Sequence, residues 1–114
     1  MEFYKKMQNI FLKKRTTEEQ NIDYETAKII LKNEIDTLLI DVRSPQEYNE
    51  RHLNGSINIP LYDLERKCEE LNIDKERIII LYCQYGSRSK RALKILENNG
   101  YKHLYQIQGG LDEI

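Results

Sequence analysis

The sequence predicts an α/β fold, a central parallel sheet flanked by helices on both faces, with an extra amphipathic helix at the N-terminus. Three observations predict it. Two apolar runs, Leu38-Leu39-Ile40 and Ile78-Ile79-Ile80-Leu81-Tyr82, are too short for helices and read as strands buried on both faces. Segments with helical apolar spacing alternate with them, as in parallel sheets built from crossovers. The chain has 114 residues, enough for one core and one domain. The expected division is residues 1–20 as N-terminal helix and linker, and 21–114 as the domain.

Met1 to Arg15 sets Phe3, Met7, Ile10 and Phe11 on one helical face, ringed by Lys5, Lys6, Lys13, Lys14 and Arg15. Such a stripe packs on its own domain, pairs with a second copy in a homodimer, or lies on a membrane or partner; packing is the ordinary outcome. Thr16 to Asn21 is polar and reads as a linker. Asp23 is placed to cap a helix over Tyr24–Asn33 whose inner face is Ala27, Ile30 and Leu31. The strand at Leu38 runs into Asp41-Val42-Arg43, and Ser44-Pro45-Gln46-Glu47 is a capping box with proline at the first helical position. Arg51 to Pro60 carries Gly55 and an alternation at Ile57 and Ile59 that predicts a small strand. Leu61, Leu64, Cys68 and Leu71 recur at helical spacing, which puts Cys68 on a buried face as a structural residue. A helix with Ala92, Leu93, Ile95 and Leu96 inside closes at Asn98-Asn99-Gly100. Leu104 to Ile107 is the last strand, and Gly109-Gly110 a turn.

The chemistry concentrates between the central strand and the helix after it, in Cys83-Gln84-Tyr85-Gly86-Ser87-Arg88-Ser89. The first amides of a helix lack intrahelical partners, so a strand–loop–helix junction favours anions. A cysteine at that rim has its thiolate stabilised relative to the thiol. Gly86 lets the loop curl so that amides face inward, and Arg88 adds a fixed, forked charge. A lone cysteine after a strand is ordinarily core filler, but filler gives no reason for the glycine, serines and arginines that follow. Ligands of parallel sheets bind beyond the carboxyl ends of the strands. Asp41 and Arg43 end the neighbouring strand, and Asp41 is expected to pair with Arg88 or Arg91 and hold the loop; otherwise it forms a surface pair of little weight.

Bulk properties narrow the partners. Eighteen basic and nineteen acidic residues leave a net charge of −1, which gives no reason to expect nucleic acid. Mean hydropathy is −0.72, no apolar run approaches membrane-spanning length, and no signal peptide is expected at the N-terminus. Two cysteines without secretory features suggest reduced thiols and a cytoplasmic location. Cys68, Cys83, His52 and His103 lack ligand spacing, so neither metal nor cofactor is expected.

Taken together, Leu39-Ile40-Asp41-Val42-Arg43-Ser44-Pro45-Gln46-Glu47-Tyr48 and His52-Leu53-Asn54-Gly55-Ser56-Ile57-Asn58-Ile59-Pro60 resemble the two leading signatures of rhodanese-like domains. Cys83 to Ser89 resembles that family's active-site loop, and Gly100-Tyr101 and Leu104-Tyr105 with Gly109-Gly110 are similar to its closing signature. The resemblance covers about Ile22 to the C-terminus. It implies a single-domain sulfurtransferase in which Cys83 takes sulfane sulfur from a small anionic donor such as thiosulfate. A thiol, a protein acceptor or cyanide then removes it. Substrate would be held by Arg88 and the loop residues Gln84, Tyr85, Gly86, Ser87 and Ser89, with Asp41, Arg43 and Arg91 in support. Tyr85 is expected at the pocket mouth, His52 as a turn-shaping residue and His103 as a solvated loop residue. Related phosphatases have one more residue between cysteine and arginine; here four intervene, so phosphatase and arsenate reductase rank below sulfur transfer. Sulfur carriage and a non-enzymatic regulatory binding module remain as rivals. The chain departs from the family in lacking the tryptophan and terminal helix that usually follow the double glycine. The N-terminal helix is expected to cover the surface so left.

Overall fold

A computed structural model describes residues 17–114, so the N-terminal stripe and the roles given to it lie outside the described residues. The elements are α1 (Thr17–Gln20), β1 (Asn21–Ile22), α2 (Tyr24–Asn33), β2 (Leu38–Asp41), α3 (Pro45–Glu50) and β3 (Ile57–Asn58). A 3-10 turn (Leu61–Asp63), α4 (Leu64–Glu70), β4 (Ile78–Tyr82), α5 (Ser87–Asn98), β5 (His103–Ile107) and a 3-10 turn (Gly110–Glu113) follow. The five strands form one parallel sheet in the order β1-β5-β4-β2-β3.

β4 is central, and its alternation divides the core. Ile79 and Leu81 pack with Leu64, Cys68, Ala92, Leu93 and Leu96 beneath α4 and α5. Ile80 and Tyr82 face the other way, onto Ala27 and Ile30 of α2. Strand pairing with period two thus turns one apolar run into two cores. The Asp23 carboxylate accepts the Thr26 N–H at 2.8 Å, the cap read from sequence. Ser44 and Glu47 form the reciprocal capping box of α3.

Four sequence readings change. Thr16–Asn21 is not a plain linker: Thr17–Gln20 forms a helical turn, and Asn21–Ile22 pairs with Gln106–Ile107. The edge of β5 offered unpaired backbone groups, and this short polar stretch covers them. Leu71 is 49% exposed instead of lying on the inner face of α4. The helix ends at Glu70, Asn72 turns the chain with φ 53°, and Ile73 enters the core instead. His103 is no solvated loop residue; it opens β5, largely buried, with Nε2 3.1 Å from Glu76 Oε2. The double glycine does more than turn: it enters a 3-10 turn that folds back over the sheet's carboxyl end.

Register decides where the chemistry sits. Asp41 is level with Tyr82, and Leu81 with Gln106, so the ends of β2, β4 and β5 line up. Cys83 leaves the sheet at that edge, between the two neighbours.

Candidate active site

Cys83 has no exposed surface. Its Sγ accepts the Gly86 N–H at 3.0 Å and the Ser89 N–H at 3.3 Å, and lies 3.5 Å from Ser89 Oγ. Gly86 caps α5 at φ 102°, a left-handed conformation that curls the loop so its amide reaches back to the sulfur. Two directed N–H groups at a helix N-terminus favour negative charge at this atom. The same amides compensate for burying it.

Three contacts hold the loop from its two sides. Leu111 and Asp112 donate backbone N–H groups to Cys83 O at 2.8 Å and Gln84 O at 2.9 Å. The turn comes so close that a Cβ on Gly110 would stand 2.4 Å from Cys83 O, which explains the glycine. From the other side, Arg43 Nη1 donates to Gln84 Oε1 at 3.1 Å. Arg43 is itself fixed by Asp41, through Nε to both carboxylate oxygens at 3.1 Å and Nη2 to Oδ2 at 2.8 Å. Both are buried, at 3% and 0% exposure, and the Arg43 fork also donates to Arg51 O. A buried pair with its remaining donors satisfied is the geometry in which such a pair persists.

This corrects the expected pairing of Asp41 with Arg88 or Arg91. Asp41 and Arg43 sit two residues apart at the strand end, on one face, so the nearer arginine takes the carboxylate. Arg88 is held by Glu47 instead, Nη1 to Oε1 at 2.6 Å and Nη2 to Oε2 at 2.9 Å. The Arg88 donors, helped by the Ser44 cap and opposed by burial, draw the Glu47 carboxyl down to about 2. The Arg88 guanidinium is correspondingly raised by Glu47, against some burial. Its fork is therefore already filled by a carboxylate.

The remaining loop residues differ. Ser89 is fully buried, Ser87 is exposed at the head of α5, and Tyr85 is 69% exposed at the outer turn. Arg91 shares with Arg88 a groove of about 520 Å³ floored by Val42, Leu61 and Ile95. Tyr85 is not among its lining residues. His52 stacks on Tyr48 with centroids 3.8 Å apart, and its Nδ1 lies 2.8 Å from Tyr48 O, in the turn after α3. Sequence reasoning missed Glu47 as partner of Arg88, although its place in the capping box fixes its position. It also missed Gln106 on β5, whose side chain meets Ser89, and Gly110, whose double-glycine context was the available signal. Among the described residues no group of histidines, cysteines and carboxylates is arranged to hold a metal ion.

Comparison with known proteins adds to this geometry. The family model for the Rhodanese-like domain matches residues 24–114. The chain is 37% identical over 103 residues to the uncharacterized protein YqhL of Bacillus subtilis, covering 90% of this chain and 72% of that one. It is 39% identical over 75 residues to the thiosulfate sulfurtransferase PspE of Escherichia coli, covering 66% and 71% respectively. The solved rhodanese-like domain of an Anabaena protein superposes with a TM-score of 0.74 at 27% identity, covering 81% of this chain and 70% of that one.

Proposed function

The chain belongs to the rhodanese-like domain family, and on that premise we propose that it is a sulfurtransferase of the thiosulfate type whose nucleophile is Cys83. The observation that carries the reading is the pair of N–H bonds from Gly86 and Ser89 to Cys83 Sγ. They favour the thiolate, the form that attacks.

In the first displacement Cys83 Sγ attacks the outer sulfur of thiosulfate. A Cys83–sulfur bond forms, the donor's S–S bond breaks, and sulfite leaves with the electron pair. The product is a persulfide anion on Cys83. Loop amides facing the sulfur stabilise the developing charge, the role preorganised donors serve in a dry site. In the second displacement cyanide or a thiol attacks the terminal sulfur, and Cys83 leaves again as thiolate. Two half-reactions through one covalent intermediate predict ping-pong kinetics.

The four-residue spacing from Cys83 to Arg88 supports sulfur over phosphoryl or arsenate chemistry. Gln84, Gly86 and Ser89 shape the cradle, Asp41 and Arg43 brace it, and Arg88 and Arg91 supply positive charge toward the donor. The unit doing this is residues 21–114, in a reducing cytoplasm, with no metal or cofactor. A carrier reading is favoured by one observation, the bidentate Glu47–Arg88 pair, which leaves a small anion less charge to bind. Here a protein persulfide would donate and a protein thiol accept, past the exposed Tyr85.

Intact mass after thiosulfate treatment, for wild type and Cys83→Ala, tests both. One added sulfur atom on wild type alone, released by cyanide, is expected. No adduct on pre-reduced wild type would sink the sulfurtransferase reading. Single loading with poor turnover would select the carrier.

A further inference from the structure

A line of neutral polar groups runs behind Cys83, from Ser89 on α5 through Gln106 on β5 to Asn21 on β1. Ser89 is fully buried and Gln106 is 1% exposed. Gln106 Nε2 donates to Asn21 Oδ1, which turns the carbonyl Oε1 toward Ser89, and the Ser89 hydroxyl donates to it. A serine has one hydroxyl hydrogen to give. The other groups around this hydroxyl are Gly86 O, a second acceptor at 3.1 Å, and Cys83 Sγ at 3.5 Å. While the hydrogen points to Gln106, Ser89 Oγ presents a lone pair to the sulfur. A lone pair accepts from the thiol and repels the thiolate.

We propose that Gln106, held in orientation by Asn21, is a positioning residue that turns the Ser89 hydroxyl away from Cys83 and so restrains formation of the thiolate. The inference deepens the reading of Cys83 as nucleophile and rests on it. The Gly86 and Ser89 amides favour charge on the sulfur, and the pinned Gln106 carbonyl holds back a further donor beside it, the Ser89 hydroxyl. When Cys83 releases its proton to solvent, the hydroxyl rotates and exchanges its bond to Gln106 for one to sulfur. Asn21 lies on the edge strand β1, just ahead of the stretch 24–114 matched by the family model.

Charged and titratable groups surround the site from every packed element. They are Arg88 and Arg91 on α5, Glu47 on α3, Asp41 with Arg43 at the end of β2, and Tyr82 on β4. Asp112 and Glu113 lie in the C-terminal turn, and His103 lies at the far end of β5. The substitutions below alter none of them, so any change in the sulfur's titration comes from the neutral line.

The test is the pH dependence of iodoacetamide alkylation, with the adduct mapped by mass so that Cys83 is read apart from Cys68. Gln106→Leu is expected to move the Cys83 profile to lower pH by about half a unit or more, a roughly threefold faster reaction on the rising limb. In a Ser89→Ala background the same substitution should move it no further, because its effect passes through that hydroxyl. Asn21→Ala, at the half-buried edge, frees the amide to turn and should give a smaller shift in the same direction. It also keeps the test decisive if Gln106→Leu fails to fold. An unmoved or raised profile in the folded variants, or a shift that persists without Ser89, overturns the proposal. Alkylation needs no sulfur donor, so a shifted profile without any persulfide would retain this restraint and discard sulfur transfer.

Discussion

Cys68 and Cys83 share one core cluster, neither forms a disulfide, and neither has exposed surface, yet their surroundings are opposite. Cys68 lies on the inner face of α4, where burial pushes its thiol up to about 11, opposed only in part by Lys75. Cys83 receives two backbone N–H groups. Burial alone therefore does not distinguish the two thiols; on the sulfurtransferase reading, directed polar groups do. The largest test of the comparison is a pair of substitutions. Cys83→Ala should abolish sulfur transfer to cyanide, while Cys68→Ala should keep turnover and lose about 1 kcal/mol of stability in urea. The reverse result would break the comparison.

The support of the two cysteines differs as much as their surroundings. Cys68 needs only packing, whereas the Cys83 loop depends on a buried ion pair. Arg43→Met would leave Asp41 buried without its partner, and a loss of about 3–5 kcal/mol in denaturant unfolding is expected. A smaller loss would mean that water reaches Asp41 and that the loop is braced otherwise. Next in size is Gly110→Ala. The new Cβ would stand 2.4 Å from Cys83 O, at a φ of +66° that disfavours side chains. Moving the loop to relieve this should slow persulfide formation about 100-fold, the scale of an ångström misplacement. Gly100→Ala is the control, with φ +87° but open space around it. It should cost about 1 kcal/mol of stability and leave the rate intact.

What the sequence disclosed follows the range of the interactions involved. Strands, helix caps and the Cys83 loop were legible because they are written in neighbouring residues: an apolar run, Ser44 with Glu47, Gly86 beside the helix start. The partners of Asp41 and Arg88 were not, because both carboxylates and three arginines converge on one strand edge, and sequence does not rank their distances. The fork of Arg88 goes to Glu47, 41 residues away. Gln106 looked like an ordinary strand residue, since nothing local says that its amide meets Ser89 and Asn21. Asn21 itself was hidden in a stretch too short and polar to announce a strand. Most of these cases were decided by contacts between side chains on separate elements, and only the assembled fold supplies them.

The Glu47–Arg88 pair sharpens the comparison from its weakest side, because it is about one-third exposed where Asp41–Arg43 is sealed. Glu47 is drawn to about 2 in the folded protein, chiefly by Arg88, from a usual value of 4.5. A carboxyl lowered on folding stabilises the fold above its unfolded value and loses that contribution as pH falls through the folded one. The contribution is therefore complete at neutral pH and disappears between about 4.5 and 2. Solvent screening of a pair one-third exposed reduces it to about 1 kcal/mol. Glu47→Gln should be less stable than wild type by that amount at pH 7, and the two unfolding curves should converge near pH 2. A gap that stays constant across the acid range would assign the loss to the α3 cap, which a glutamine keeps in part, and not to Arg88. In that case the arginine's charge is free for the sulfur donor after all, and the carrier reading loses its only structural support.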